Sequence, residues 1–392
     1  MAIYLDYQAS TPVDPRVNAV MMSVMERSFA NPSSESHSDG WTAKSIVETA
    51  RAVIALAVSC DPDEIVFTAG ATESDNLGVL GAALGAPSTR RRILVGATEH
   101  RAVLEAARAA VQFGFSVELI PVDRRGLVDI SCLRALVDDS VAVVSVMTVN
   151  NEIGTIQELD EIVSISRAVG AFIHTDATQA PCAMEIDVGE WGVDAASFSS
   201  HKIYGPKGVG ALFLSAAAPW RPMPLLFGGG QEQGLRPGTL PTPLCAGFAE
   251  AFSIIAAEGL HERERMKRLR DEFESQLSKS VSCFKRTSIP PDCHPGNLHA
   301  TFVGIDADDL LARIQPQISA STGSACTSGL IQGSHVLEAI GLTQSHAREG
   351  VRFSIGRFSQ ASELRLAASV IATAVEEIRR GERGPFEQDI AI

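Results

Sequence analysis

Lys202 follows the run Ser197-Phe198-Ser199-Ser200-His201 and precedes the turn Ile203-Tyr204-Gly205-Pro206-Lys207-Gly208. A lysine between hydrogen-bonding residues and a Gly/Pro turn, just past an apolar strand-like stretch, suits an amine that forms a Schiff base with an aldehyde. The amine becomes nucleophilic once deprotonated, and a nearby cation or desolvation favours that form. Alone, the motif reads as an ordinary surface lysine. Asp176, in His174-Thr175-Asp176-Ala177-Thr178-Gln179, reverses the odds. An aspartate closing a strand can pair with a pyridinium nitrogen and so keep the ring able to accept electrons.

Further segments fit the same chemistry. Ala69-Gly70-Ala71-Thr72-Glu73-Ser74 lies between the strand-like Ile65-Val66-Phe67-Thr68 and an apolar helix. Its small residues would let backbone N–H groups approach a phosphate at a helix N-terminus; the simpler reading is a turn capped by Thr72. His100 lies just beyond a strand, where its ring could stack on a ligand or move protons; a lone histidine is more often structural. Asn151, in Asn150-Asn151-Glu152-Ile153-Gly154, could donate to a ring oxygen or a substrate carboxylate, and a turn role is equally open. Gln179 could donate to a phenolate oxygen, and Ser199 and His201 to a phosphate. Arg352, within Val351-Arg352-Phe353-Ser354, could fork onto a carboxylate or form a structural salt bridge. Cys326, alone among seven cysteines, sits among small and hydroxylated residues, Ser321 to Gly329. That setting suits a reactive thiol, whereas buried cysteines are inert.

These residues need a scaffold of strand ends. Arg92–Val95, Val117–Ile120, Val141 to Val149, Ala171–His174 and Gly210–Leu214 read as strands. Helix-like segments intervene at Ala102–Phe113, Ser131–Val137 and Leu159–Val169. Strands apolar on both faces and separated by helices predict an α/β fold, with a mostly parallel sheet covered by helices. Near residue 259 the composition changes. Met266, Leu269, Phe273 and Leu277 stripe a charged helix from Glu262 to Ser280, read as the link to a smaller α+β domain. A second helix runs from about Ser362 to Arg379. The expected division is 13–259 for the large domain, with 1–12 and 260–392 forming the small one; residues 381–392 are expected to fray.

The 392 residues carry a net charge of −14, which argues against direct nucleic-acid binding. No stretch reads as long and apolar enough to span a bilayer, and the N-terminus lacks a signal peptide's basic region, so no membrane association and a cytoplasmic location are expected. An odd cysteine count without a C-x-x-C pair argues against a disulfide framework or a structural zinc site, and no metal is expected.

The motifs together resemble the NifS/IscS-type cysteine desulfurases, fold-type I enzymes dependent on pyridoxal 5'-phosphate. The resemblance runs from Ile3 to about Arg379. It is carried by Ala71-Thr72-Glu73-Ser74-Asp75-Asn76, Thr98-Glu99-His100, Val149–Gly154, Asp176–Gln179, Ser200–Gly208 and Gly323-Ser324-Ala325-Cys326-Thr327-Ser328. The last resembles the subgroup with a longer, mobile cysteine loop. By resemblance, Lys202 would hold the cofactor and act as the Cα base, Asp176 would pair with the ring nitrogen, and Gln179 with the phenolate oxygen. His100 would stack and relay protons. Ala71, Thr72, Ser199 and His201 would surround the phosphate, joined by Thr239 from the second subunit of a homodimer. Asn151 and Arg352 would hold the carboxylate of L-cysteine. Cys326 would take the sulfur as a persulfide, leave L-alanine, and pass the sulfur to an acceptor for iron–sulfur assembly or nucleic-acid thiolation. Pro237 stands where the family usually has a small residue, and Gln8 and Ser10 where Ser and Thr are commoner. A selenocysteine lyase, a small-substrate aminotransferase and a non-catalytic scaffold are the competing readings.

Overall fold

The computed structural model describes residues 2–287, 292–323 and 333–381. Cys326 and the tail expected to fray beyond Gly381 therefore lie outside the described residues. Seven strands form the main sheet: β1 (Ile65–Thr68), β2 (Arg92–Gly96), β3 (Ser116–Ile120), β4 (Val141–Ser145), β5 (Phe172–Asp176), β6 (Ala195–Ser199) and β7 (Gly210–Leu214), in the order β1-β7-β6-β5-β4-β2-β3. All neighbours are parallel except that β7 runs antiparallel to both β6 and β1. Strands β4 to β7 are buried along their whole length. Side chains of alternate parity fill separate apolar clusters on the sheet's two faces: Ile173, Ala196 and Phe198 on one, Phe172, Ala195 and Leu212 on the other. A sheet covered on both sides demands this continuous apolar content.

Because β7 is reversed, its first residue lies at the same edge as the C-terminal ends of β1, β2, β4, β5 and β6. The motifs that lie within the described residues gather at that edge. The β-branched run at Val141 to Val149 is strand only as far as Ser145. Val146 and Thr148 still donate to the carbonyls of His174 and Asp176, but the Glu99 carboxylate takes the Met147 N–H. This ends the ladder and turns the chain across the edge.

A separate antiparallel sheet joins β8 (Phe284–Arg286), β9 (Asn297–Phe302) and β10 (Gly350–Ser354) in the order β10-β9-β8. Phe302, Phe353, Leu298 and Val351 pack with Leu269, Phe273 and Leu277 and with Leu364 and Ile371 of the last helix, Ala361–Arg379. The N-terminal residues cross between the sheets. Ile3–Tyr4 pairs in parallel with Ile318–Ser319, and Ser354 donates its N–H to Leu5.

Two expectations need correction. The helix predicted from Glu262 begins at Thr242 and runs unbroken for 39 residues to Ser280. Its first half hides the periodic signal because Cys245, Phe248, Ala249, Ala251 and Phe252 are buried on more than one face, against the main sheet. It therefore passes through the position expected to divide the chain. The same helix is long and apolar enough by composition to cross a bilayer, contrary to the sequence reading. Its most apolar window has a mean hydropathy of 1.3, and half of that window is buried within the protein, as in any core helix.

Gly210 sets the closest backbone approach at the functional edge. A Cβ there would lie 2.6 Å from both Gly70 Cα and Phe198 O. Gly210→Ala must push β7 from Gly70, and urea unfolding is expected to show a loss of about 1–3 kcal/mol, the usual cost of overpacking. An unchanged midpoint would show that the approach has slack.

Candidate active site

The edge encloses a cavity of about 810 Å³. Ala71, Thr72, His100, Asn151, Asp176, Gln179, Ser199, His201, Lys202 and Arg352 all line it. Most come from element ends or the turns that follow them, and Arg352 from the middle of β10. Ala71 and Thr72 open the helix that follows Gly70, whose φ of 152° favours glycine; the helix has no side-chain cap. Ser199 ends β6, and Lys202 ends the single 3-10 turn after it.

The N-terminal segment forms part of the wall. Lys202 Nζ donates to the carbonyls of Gln8 at 2.6 Å and Ala9 at 3.0 Å, and Gln179 Nε2 donates to Gln8 O at 2.9 Å. Thr11 accepts the Tyr204 N–H and donates to His201 O, while Ser10 Oγ lies 3.2 Å from His201 Nδ1. The lysine turn is thus held from outside by residues nearly two hundred positions earlier.

The polar interior carries few net charges. His100 caps the helix Arg101–Ala110: its Nδ1 accepts the Ala102 N–H at 3.1 Å, leaving Nε2 to carry the proton of the neutral ring. Burial lowers its pKa and the Lys202 charge adds to this, against the opposing pull of Asp176. Burial and the charges of Lys202 and Lys207 lower His201 to about 4. His174 lies beneath the cavity, with Ser145 Oγ at 2.8 Å and Ser197 Oγ at 3.0 Å, and burial brings it to about 4. Asp176 accepts the Thr178 N–H at 2.9 Å.

Asp75, a motif residue given no role from sequence, is fully buried behind Asp176. Its two carboxyl oxygens have no hydrogen-bond partner among the described residues. Asp75, Asp176 and His100 each place one polar atom within 4.8 Å of the others. Burial, then the Asp176 charge, raise the pKa of Asp75 well above the carboxylate range. Two carboxylates this close and this dry resist ionising together, which favours the protonated form of Asp75.

Arg352 faces this group across the cavity. Nη1 donates to Asn151 O at 2.7 Å, and Nη2 donates to Asp6 Oδ1 at 2.7 Å and Ser321 Oγ at 3.0 Å. The two sequence readings of Arg352 therefore coexist: it makes a structural ion pair and also lines the cavity. Glu152, fully buried and raised in pKa chiefly by burial, accepts from Ser334 Oγ and packs under Gly323. Thr239 is exposed and does not line this chain's cavity. Sequence reasoning missed Asp6, Gln8, Ala9 and Asp75 as parts of the site. Asp75 alone left a signal, an acidic residue inside an otherwise legible motif.

A protonated Asp75 has a defined linkage. Its folded pKa lies above the unfolded 3.8, so its contribution is present at low pH and lost as pH rises. Asp75→Asn keeps the neutral shape without that loss. Urea titrations from about pH 4 to about pH 7 should therefore show the stability difference shifting towards the variant. A parallel pair of curves would mean that Asp75 is ionised.

Comparison with known proteins agrees with this geometry. The aminotransferase class-V family profile matches residues 3–366. The cysteine desulfurase IscS of Rickettsia massiliae (strain Mtu5) is 39% identical over 379 residues, covering 97% of this chain and 92% of the relative. The solved structure of a NifS-like protein superposes with a TM-score of 0.88 at 32% identity, covering 97% of this chain and all of the other. A structure of SspA in complex with cysteine gives a TM-score of 0.80 at 33% identity, covering 92% of this chain and all of the other. A chain with this cavity and these relatives belongs to the class-V aminotransferase family, among its NifS/IscS-like cysteine desulfurases.

Proposed function

We propose that this protein converts L-cysteine to L-alanine and carries the released sulfur as a persulfide on Cys326. The observation that carries the reading is the facing pair of walls: Lys202, Asp176, Gln179 and His100 on one, Arg352 and Asn151 on the other. The cofactor of this family is pyridoxal phosphate, and the cavity fits it. Gly70 leaves space that a Cβ would narrow beside Ser199, the helix at Ala71 has an uncapped N-terminus, and the Lys202 amine is turned onto the carbonyls of Gln8 and Ala9. Ala71, Thr72, Ser199 and His201 would hold the phosphate, Asp176 the ring nitrogen and Gln179 the ring oxygen. Bound there, the cofactor supplies an aldehyde for the amine and a ring that accepts electrons from the substrate Cα.

The chain's own groups do the rest. Lys202, deprotonated, takes the Cα proton of the substrate. Asp75, pushed towards its acid form by burial and by the charge of Asp176, sets no competing charge behind Asp176, which would face the ring nitrogen. His100, neutral and with its proton on Nε2, can exchange protons at the cavity. Arg352 and Asn151 orient the substrate carboxylate. The Cys326 thiolate would bond to the substrate sulfur as the substrate Cβ–S bond breaks, and the electron pair left on the carbon fragment would take a proton on the way to L-alanine. Cys326 lies outside the described residues, so its assignment rests on the sequence.

A homodimer is part of this proposal. Leu226 and Phe227, close to Thr239 in sequence, are 52% and 84% exposed, and Leu226 also lines the cavity. Apolar residues at a cavity mouth support closure by a second chain, with Thr239 reaching its cofactor. The acidic composition argues against direct nucleic-acid contact; a sulfur-acceptor protein as partner and a cytoplasmic setting are further parts of the proposal. The acceptor takes the sulfur onward to iron–sulfur assembly or nucleic-acid thiolation.

The deciding assay is turnover of L-cysteine with a reductant, by wild type and Cys326→Ala. Alanine and sulfide are expected in equal amounts. Both should be lost in the variant while the visible absorbance of the bound cofactor persists. Alanine without sulfide, or full activity in Cys326→Ala, would overturn the mechanism. A purified protein that takes up no cofactor would favour a non-catalytic scaffold.

A further inference from the structure

Two side chains that line one corner of the cavity, Gln8 and Arg352, each carry a buried donor without an acceptor among the described residues. Gln8 is 2% exposed and lines the cavity, and its side-chain orientation is fixed by its neighbours. Asn297 Nδ2 donates to Glu152 O at 2.9 Å, a carbonyl that can only accept, and the same Nδ2 donates to Gln8 Oε1 at 2.6 Å. Reversing the Gln8 amide would set N–H against N–H. Its Nε2 is therefore left over, with no partner among the described residues. Arg352 Nε is likewise buried and without a partner among them. The two side chains flank one short piece of backbone: Arg352 Nη1 bonds Asn151 O, and Gln8 reaches Glu152 O through Asn297. Buried donors without acceptors are uncommon in native structures and mark a place where an acceptor belongs.

The charge balance of the corner points to the kind of donor it needs. Arg352 already shares its charge with Asp6 at 2.7 Å. An anion arriving there meets a guanidinium that is partly neutralised, so a neutral N–H adds attraction without adding another buried charge.

We propose that Gln8 binds substrate, its Nε2 donating to the α-carboxylate of the amino acid beside Arg352. The assignment rests on the cysteine desulfurase reading and adds a residue to its substrate site. Gln8 lies next to the reacting centre, because its own carbonyl holds both Lys202 and Gln179.

The test uses the cofactor-loaded protein and equilibrium binding read from its visible absorbance, with L-alanine and L-alaninamide as probes. Gln8→Met keeps the length and removes the amide. Gln8→Glu keeps an oxygen for Asn297 and removes the donor. Both variants should weaken L-alanine by about tenfold, the scale of one lost hydrogen bond to a charged group, while binding of L-alaninamide changes by less than about twofold. Equal weakening of both probes, or no weakening of either, overturns the assignment and leaves Gln8 a structural link to Asn297. A wild type that neither turns over L-cysteine nor binds L-alanine overturns the parent reading as well.

Discussion

The site depends on the crossing of residues 5–14 between the two sheets. Ser354 of β10 accepts the Tyr7 N–H at its carbonyl and the Gln8 N–H at its hydroxyl, while Thr11 and Asp14 bond to the lysine turn at His201 and Tyr204. Arg357, just beyond β10, pairs with Asp14 at 2.7 Å and also with Glu262, and its guanidinium lies 4.2 Å from the centroid of the Tyr204 ring. Both side chains are almost fully buried, and each keeps a second partner, Glu262 for Arg357 and Arg16 for Asp14, so the pair is one link of an ion network. One short segment thus fixes the spacing between Lys202, after the main sheet, and Arg352, on the small one.

Around that spacing the interior is kept largely uncharged. His100, His174 and His201 are neutral through burial, and Asp75, Glu99 and Glu152 are pushed towards their acid forms by the same cause. Asp176 and the Lys202 amine face the cavity from one side and the Arg352–Asp6 ion pair from the other. In a low-dielectric cavity such charges act over longer distances than they would in water. The neutral groups are therefore part of the electrostatics and not mere filling.

Much of the fold was legible because parallel strands buried on both faces leave continuous apolar runs, and because ligands gather at their C-terminal ends. His100, Asn151, Asp176 and Ser199 could be located in this way from local pattern alone. The direction of β7 could not, since a buried strand reads alike both ways. The first half of the long helix stayed hidden because burial on several faces erases the 3.6-residue stripe. Gln8 and Asp6 were illegible as parts of the site, and Asp75 had no readable role, for a different reason. Their partners are far away in sequence: Gln8 contacts Lys202 and Asn297, Asp6 contacts Arg352, and Asp75 lies behind Asp176. No local window contains those pairs.

The contact between Gln8 and Ser354 spans 346 positions, and this has a consequence for biosynthesis. Every strand of the main sheet has been translated once Leu214 is added. The wall opposite Lys202 does not exist until Ser354 has left the ribosome, so for much of its synthesis the chain carries an amine in an unfinished cleft. Completion of the active centre is tied to near-completion of the polypeptide, and a nascent chain that stalls before β10 would have a folded large sheet and no pocket able to grip its substrate.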